Sequence, residues 1–122
     1  MVELADATET SEEVEEEQHE DAARRCRRCG NVITHDKHAI EVEGLHEHVQ
    51  ANPAGFVFLL GAFAQAEGCD VIGDATRAHT WFAAYAWQVA ICDSCMCHLG
   101  WYFHSGSDGF FGLLLDQLTR EA

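Results

Sequence analysis

At 122 residues, 48% of them apolar, the chain has room for one globular domain with a modest core. Its formal net charge of −14 disfavours nucleic acid and anionic membrane surfaces, since both ask for a basic face. No window approaches the roughly 20 apolar residues of a membrane span.

Residues 1–23 carry ten Asp/Glu and no Lys or Arg. Thr10 and Glu13 have capping-box spacing, but Leu4 and Val14 give almost no apolar stripe. The segment is expected to be an acidic, disordered or frayed tail that solubilises the chain. It has no basic n-region and no apolar h-region, so a cytoplasmic protein is expected. In that reducing compartment six cysteines point to metal or chemistry rather than disulfides.

The domain is expected over residues 24–122, where the charge balance is only −4. Short β-like runs separated by turn signals dominate it: Val32-Ile33, Ala39 to Val42, Phe56 to Phe63, Val71-Ile72, Tyr85 to Ile91, Leu99 to Phe103 and Phe110 to Leu115. Leu59 to Gln65 is ambiguous, because its alanines also suit a helix. The pattern predicts an antiparallel, mostly β domain.

Cys26-Arg-Arg-Cys29-Gly and Cys92-Asp-Ser-Cys95 read as two thiolate knuckles. Two residues between cysteines let one tight turn offer both sulfurs to one ion. Two such turns complete a closed tetrahedral four-sulfur site, the form of structural zinc. Such a site leaves no position for water, so the predicted Zn2+ is structural. The 62 residues between the knuckles put a set of strands between them. Arg24, Arg25, Arg27 and Arg28 are placed to offset the site's formal charge of −2 from around it. Cys69 and Cys97 are left over and are expected as small buried side chains or bystanders. Cys97 and His98 also lie close enough in sequence to compete for the metal. His104 and the group His35, His38, His46 and His48 are expected on the surface or in loops.

Trp81, Trp87 and Trp101 fall within 21 residues. If the second knuckle is a hairpin turn centred near Ser94, Trp87 lies opposite Trp101 and Tyr85 opposite Phe103. Tyr85, Trp87, Val89 and Ile91 then share a face with Leu99, Trp101 and Phe103. An aromatic stripe of this kind is commonly core. Three indoles beside a metal-pinned turn can also form a preorganised pocket for a flat ring or a cation. His79-Thr80-Trp81-Phe82 has no acid nearby, which leans toward a neutral polar ring.

Taken together, these strings resemble the CULT domain, the thalidomide-binding domain of cereblon-like proteins. The resemblance rests on His79-Thr-Trp81-Phe-Ala-Ala-Tyr85-Ala-Trp87, on Cys92-Asp-Ser-Cys95-Met-Cys-His98-Leu-Gly-Trp101-Tyr-Phe103 and on Phe110-Phe111-Gly112-Leu113. Cys26-Arg-Arg-Cys29-Gly and Val49-Gln-Ala-Asn52-Pro53-Ala-Gly55 fit as well. It covers about Cys26 to Leu118, and the short length is similar to stand-alone bacterial versions.

The resemblance implies a β-tent, two antiparallel sheets meeting at an angle and pinned by one zinc. It implies a cage of Trp81, Trp87 and Trp101 closed by Phe103, with Asn52 lining it. The backbone N–H of Trp81 and the carbonyl of His79 would meet an imide edge, and the His79 side chain can add a donor. The implied ligands are glutarimides, succinimides, hydantoins and uracil-like rings, including cyclic imides at damaged protein C-termini. Ala83-Ala84 departs from the family's usual Pro-Gly.

A binding module, expected as a monomer without enzyme activity, is the leading expectation. A methyl-lysine or quaternary-ammonium reader is an alternative. A methionine sulfoxide reductase-like enzyme is a weaker one, since no cysteine follows Trp101, where that family keeps its nucleophile.

Overall fold

The computed structural model describes residues 21–121. The expected acidic tail therefore lies outside the described residues, except for its last positions. Of these, Ala22 and Ala23 are buried.

Nine strands make up the fold of the described residues, in two antiparallel sheets. Strands β1 (Ala23–Cys26), β2 (Val32–His35) and β9 (Leu118–Arg120) form the smaller sheet, in the order β2-β1-β9. The larger sheet holds β3 (Glu47–Ala51), β4 (Val57–Phe63), β5 (Cys69–Thr76), β6 (Ala86–Cys92), β7 (His98–Ser105) and β8 (Asp108–Leu114), in the order β3-β4-β8-β7-β6-β5. Two short 3-10 turns, Asp36–His38 and Leu115–Gln117, complete it, and the described residues contain no α-helix. The ambiguous stretch after Leu59 is strand through Phe63. Its Leu60 to Phe63 are buried side by side, and that burial outweighs the helical preference of one alanine.

The larger sheet is apolar on both faces. On one, Phe63, Leu99 and Leu113 pack with Ile33 of β2, Leu118 of β9, Cys26 and Cys92. This cluster joins the two sheets. On the other, Ala62, Phe103 and Phe110 pack with Phe82 from the loop between β5 and β6. Strand register explains the division. Trp101 and Ala62 both pair with Gly112, and Phe103 pairs with Phe110, so these residues share a face. Tyr102 and Phe63 both pair with Phe111 on the opposite one.

Asp36 fastens the smaller sheet. Arg24 of β1 donates from Nε to Asp36 Oδ1 at 2.7 Å, and Arg120 of β9 donates to the other oxygen of the same carboxylate. Burial works to raise the Asp36 pKa, but the hydrogen bonds and charges of the two arginines outweigh it and hold the pKa below the ordinary value. Arg27 donates to the carbonyl of Asp116 at 2.8 Å, and Arg25 pairs with Glu121 and with the Gly30 carbonyl. Three of the four arginines expected to balance the metal site therefore have specific partners, and two of them, Arg25 and Arg27, tie the first knuckle to the chain's last elements.

Among the histidines expected on the surface or in loops, His48 departs from that placement, whereas His46 lies in the loop before β3. His48 is buried, its ring edge-on to Phe82 at 5.2 Å and its Nε2 2.9 Å from the Leu45 carbonyl. His46 stands edge-on to Phe63 with Nδ1 3.0 Å from the Ile40 carbonyl. On β3 the alternation that faces His48 inward decides the first case, and that strand was not among the expected ones.

Candidate functional site: a thiol tetrad and an aromatic cleft

The two knuckles share one backbone plan. In the first, the Cys26 N–H bonds the Asn31 carbonyl at 2.8 Å and the Gly30 N–H bonds the Cys26 carbonyl at 2.8 Å. In the second, the Cys92 N–H bonds the Cys97 carbonyl and the Met96 N–H bonds the Cys92 carbonyl, each at 2.9 Å. The fifth residue of each turn has a left-handed backbone, Gly30 at φ 82° and Met96 at φ 65°. Each knuckle is thus a six-residue turn that closes on itself and aims two sulfurs the same way.

The sulfurs of Cys26, Cys29, Cys92 and Cys95 all lie within 4.8 Å of one another and could hold one metal ion. Cys26 and Cys95 sulfurs are 3.7 Å apart, Cys29 and Cys92 3.6 Å. A tetrahedron of sulfurs bonded at about 2.3 Å has edges of about 3.8 Å, so the donor set fits a four-thiolate site. Burial pushes the Cys26 thiol well up in the metal-free state, whereas the backbone N–H of Cys97, with neighbouring thiols, brings Cys95 down to about 6. A metal offsets the burial cost by taking the thiolate form. Asn31 donates from Nδ2 toward the Cys92 sulfur at 3.7 Å and to Asp93 at 2.7 Å. Of the leftover thiols, Cys69 is pushed up to about 12, chiefly by burial. Cys97 lies outside the tetrad but with its sulfur 3.5 Å from that of Cys26.

The hairpin built on the second knuckle has a different register from the expected one. Trp87 pairs with Phe103 and Val89 with Trp101, so Trp87 does not face Trp101 directly. The turn spans Cys92 to Cys97 and is centred half a residue later than Ser94. A bulge between Ala90 and Ile91 then makes Leu99 an extra residue. The two effects sum to a shift of two, and a shift of two leaves every side chain on its original face. Trp87, Trp101 and Phe103 therefore still share one face, with the indoles as diagonal neighbours. Leu99 does not join them, since at the bulge it packs into the core between the sheets. Gly100 beside it has φ +152°, and a Cβ there would lie 2.1 Å from the Gly112 carbonyl oxygen. Tyr85 is not in the strand either. It follows a turn and packs its ring on Phe110 at 5.5 Å.

A cavity of about 310 Å³ opens on this face, lined by Asn52, Pro53, His79, Trp81, Trp87, Trp101 and Phe103. Four elements converge there. Trp101 and Phe103 come from β7 and Trp87 from β6, His79 and Trp81 from the loop before β6, and Asn52 and Pro53 from the turn joining β3 to β4. Trp81 stands edge-on to Trp101 at 4.8 Å between ring centres. Its Nε1 donates to the Ala51 carbonyl at 2.9 Å, while Trp87 Nε1 donates to the Ala78 carbonyl at 2.8 Å. Both indoles are held by hydrogen bonds close to the other lining residues, Trp81 to the last residue of β3 beside Asn52 and Trp87 to the loop that carries His79. Asn52 accepts the Phe56 N–H on its side-chain oxygen at 3.0 Å and so shapes its own turn. His79 sits at φ 56°, a left-handed position next to the cavity.

Two residues of this region are not among the expected lining residues. Pro53 lines the cavity beside Asn52. Phe58 backs it, with its ring 5.4 Å from Trp101 and 6.0 Å from Trp81. The period-two alternation of Phe56 and Phe58 was legible, but which face pointed to Trp101 depended on the pairing of β4 with β8 and of β8 with β7.

No protein-family model matches the chain. Among curated proteins it is 32% identical over 99 residues to protein cereblon of Danio rerio and 30% identical over 99 residues to protein cereblon of Gallus gallus, in each case over 80% of the chain. Protein cereblon of Drosophila erecta is 26% identical over 97 residues, 72% of the chain. The matches span 23%, 22% and 16% of those relatives, so the chain corresponds to under a quarter of their length. Among the described residues no helix is long and apolar enough to cross a membrane. Similarity to cereblon over four-fifths of the chain, on a two-sheet β fold with a cysteine tetrad, is consistent with a cereblon-like CULT domain.

Proposed function

We propose that the chain is a binding module for cyclic imides and uracil-like rings, held in shape by one structural zinc ion. The observation that carries this reading is the 310 Å³ cavity walled by Trp81, Trp87, Trp101 and Phe103. A five- or six-membered imide has two apolar faces and one polar edge. Indole walls suit the faces. The backbone N–H of Trp81 and the carbonyl of His79 would serve the edge, where exclusion of water strengthens each hydrogen bond. The His79 imidazole would add a donor for the second carbonyl, and Asn52 lines the same cavity. The same site would accept a cyclic imide at the C-terminus of a damaged protein.

The lining residues include no carboxylate, which speaks for a neutral ring over a quaternary ammonium. They include no cysteine, which speaks against sulfoxide reduction. A four-thiolate zinc would have no open position for substrate, so its role is structural.

Tryptophan fluorescence titrated with glutarimide, succinimide and uracil tests the ligand class. Saturable quenching by at least one at millimolar concentration or below is expected, and it should be lost in Trp87→Ala with the metal still bound. No quenching by any of them, or normal binding by that variant, would refute the reading. Metal analysis of purified protein should return one zinc per chain.

A further inference from the structure

The two knuckles are alike in backbone but not in the side chain that closes them. Asn31 closes the first turn, and its amide reaches across to Cys92, the first cysteine of the second. Cys97 closes the second turn, and its sulfur reaches across to Cys26, the first cysteine of the first, at 3.5 Å. The position that holds an amide donor on one side of the tetrad holds a thiol on the other. Cys97 is half-buried, while Cys26 is 1% exposed.

We propose that Cys97 is an oxidation site that exchanges the bound metal for a disulfide with Cys26 when the protein meets hydrogen peroxide. The inference rests on the reading of the tetrad as a metal site. Of this pair of sulfurs peroxide reaches that of Cys97, which is the less buried, converting the thiol to a sulfenic acid with release of water. The Cys26 thiolate attacks that sulfur and expels hydroxide, forming the S–S bond. The two sulfurs together give up two electrons, and one peroxide becomes water and hydroxide. Cys26 no longer binds the metal, three thiolates remain, and the ion leaves. Cys95 is a poorer partner, because a disulfide across the single residue Met96 closes a strained ring. Cys26 and Cys97 are 71 residues apart in sequence and meet only through the fold. Since the tetrad and the disulfide join the same two segments, the sheets stay tethered while the thiols of Cys29, Cys92 and Cys95 become available.

The test uses the zinc-loaded protein and stoichiometric hydrogen peroxide. Released zinc is followed with a metallochromic chelator and the disulfide is located by peptide mass mapping. Wild type should release one zinc per chain with a Cys26–Cys97 peptide pair, and dithiothreitol with added zinc should reverse both. Cys97→Ser should release zinc at least tenfold more slowly. Cys97→Ala guards against an effect of the hydroxyl, and both variants should first show wild-type zinc content and melting temperature. Equal release rates in wild type and both variants, or a disulfide mapped to another pair, would overturn the proposal. A protein that purifies without metal would refute the zinc reading instead, and the peptide map would still decide the disulfide.

Discussion

Met96 and Ala84 both hold a left-handed backbone, at φ 65° and 71°, without being glycine. For an L-residue that conformation costs about 1–2 kcal/mol. Ala84 is the third residue of a turn closed by the Tyr85 N–H to the Phe82 carbonyl at 3.0 Å. A turn with a left-handed third residue suits proline at the second position and glycine at the third. The Pro-Gly usual in CULT domains therefore fits the conformation that Ala83-Ala84 adopts. Met96 is 70% exposed, so trimming it forfeits little packing. After allowing for the greater freedom of glycine in the unfolded chain, Ala84→Gly and Met96→Gly should each stabilise the protein by about 0.5–1 kcal/mol. Thermal melting should show each as a rise of a few degrees. Trp87 offers a different test. In Trp87→Phe the ring stays but the hydrogen bond to the Ala78 carbonyl is lost, freeing the segment that carries His79. The melting temperature should barely move, while imide affinity, read by titration calorimetry, should fall by about tenfold, the equivalent of one such bond.

Among the elements, Asp36 shows how a short turn fastens a sheet. Its depressed pKa means that the two arginines stabilise the fold only while it is ionised. That contribution is complete above the unfolded carboxylate value of about 3.9 and is lost as the pH falls below it, through the lower native value. Asp36→Asn should thus cost about 1–2 kcal/mol at neutral pH, and in urea titrations the gap from wild type should narrow as the pH falls below the unfolded carboxylate value. Gly100 sits where a Cβ would strike the backbone of β8. Gly100→Ala should cost at least about 2 kcal/mol and weaken imide binding with it, because Trp101 is the next residue. The strands that sequence missed have a shared physical reason. Arg24, Arg25, Glu47, Gln50 and Arg120 make β1, β3 and β9 look polar. β1 and β9 are strands because they pair across the length of the chain, and β3 because it borders β4 as the edge of the larger sheet. The hairpin of β6 and β7 was legible because its apolar alternation is local. Its register was not, because a bulge at Leu99 leaves no clear mark in composition. The cavity residues were recognisable all the same, since a shift of two residues preserves the face.

For the molecule as a whole, the tetrad links segments that share no strand pairing. Cys26 ends β1 of the smaller sheet, and Cys92 ends β6 of the larger. Besides the four thiols, the core between them depends on a few side chains, chiefly Ile33, Phe63, Leu99, Leu113 and Leu118. Stripping the ion with a strong chelator should lower the melting temperature by about 10 °C or more and abolish imide binding together with it. Restoring zinc should recover both, with circular dichroism and fluorescence as the measurements. In Cys92→Ser, which keeps three sulfurs, the same losses should appear without chelator.

The pairing of β1 with β9 has a mechanical consequence. Arg24 lies opposite Arg120 and Cys26 opposite Leu118, with a further bond from the Glu121 N–H to the Ala23 carbonyl. A load applied through residues 21 and 121 therefore pulls on the same end of an antiparallel ladder. Its rungs break in succession, as in a zipper, and never resist together in shear. With zinc bound as proposed, the opening would travel only as far as Cys26, whose sulfur the ion would anchor to the larger sheet. In a single-molecule pulling experiment the zinc form should yield a few residues at low force and then halt at a plateau. The metal-free form, with no rivet at Cys26, should pass that point without a pause.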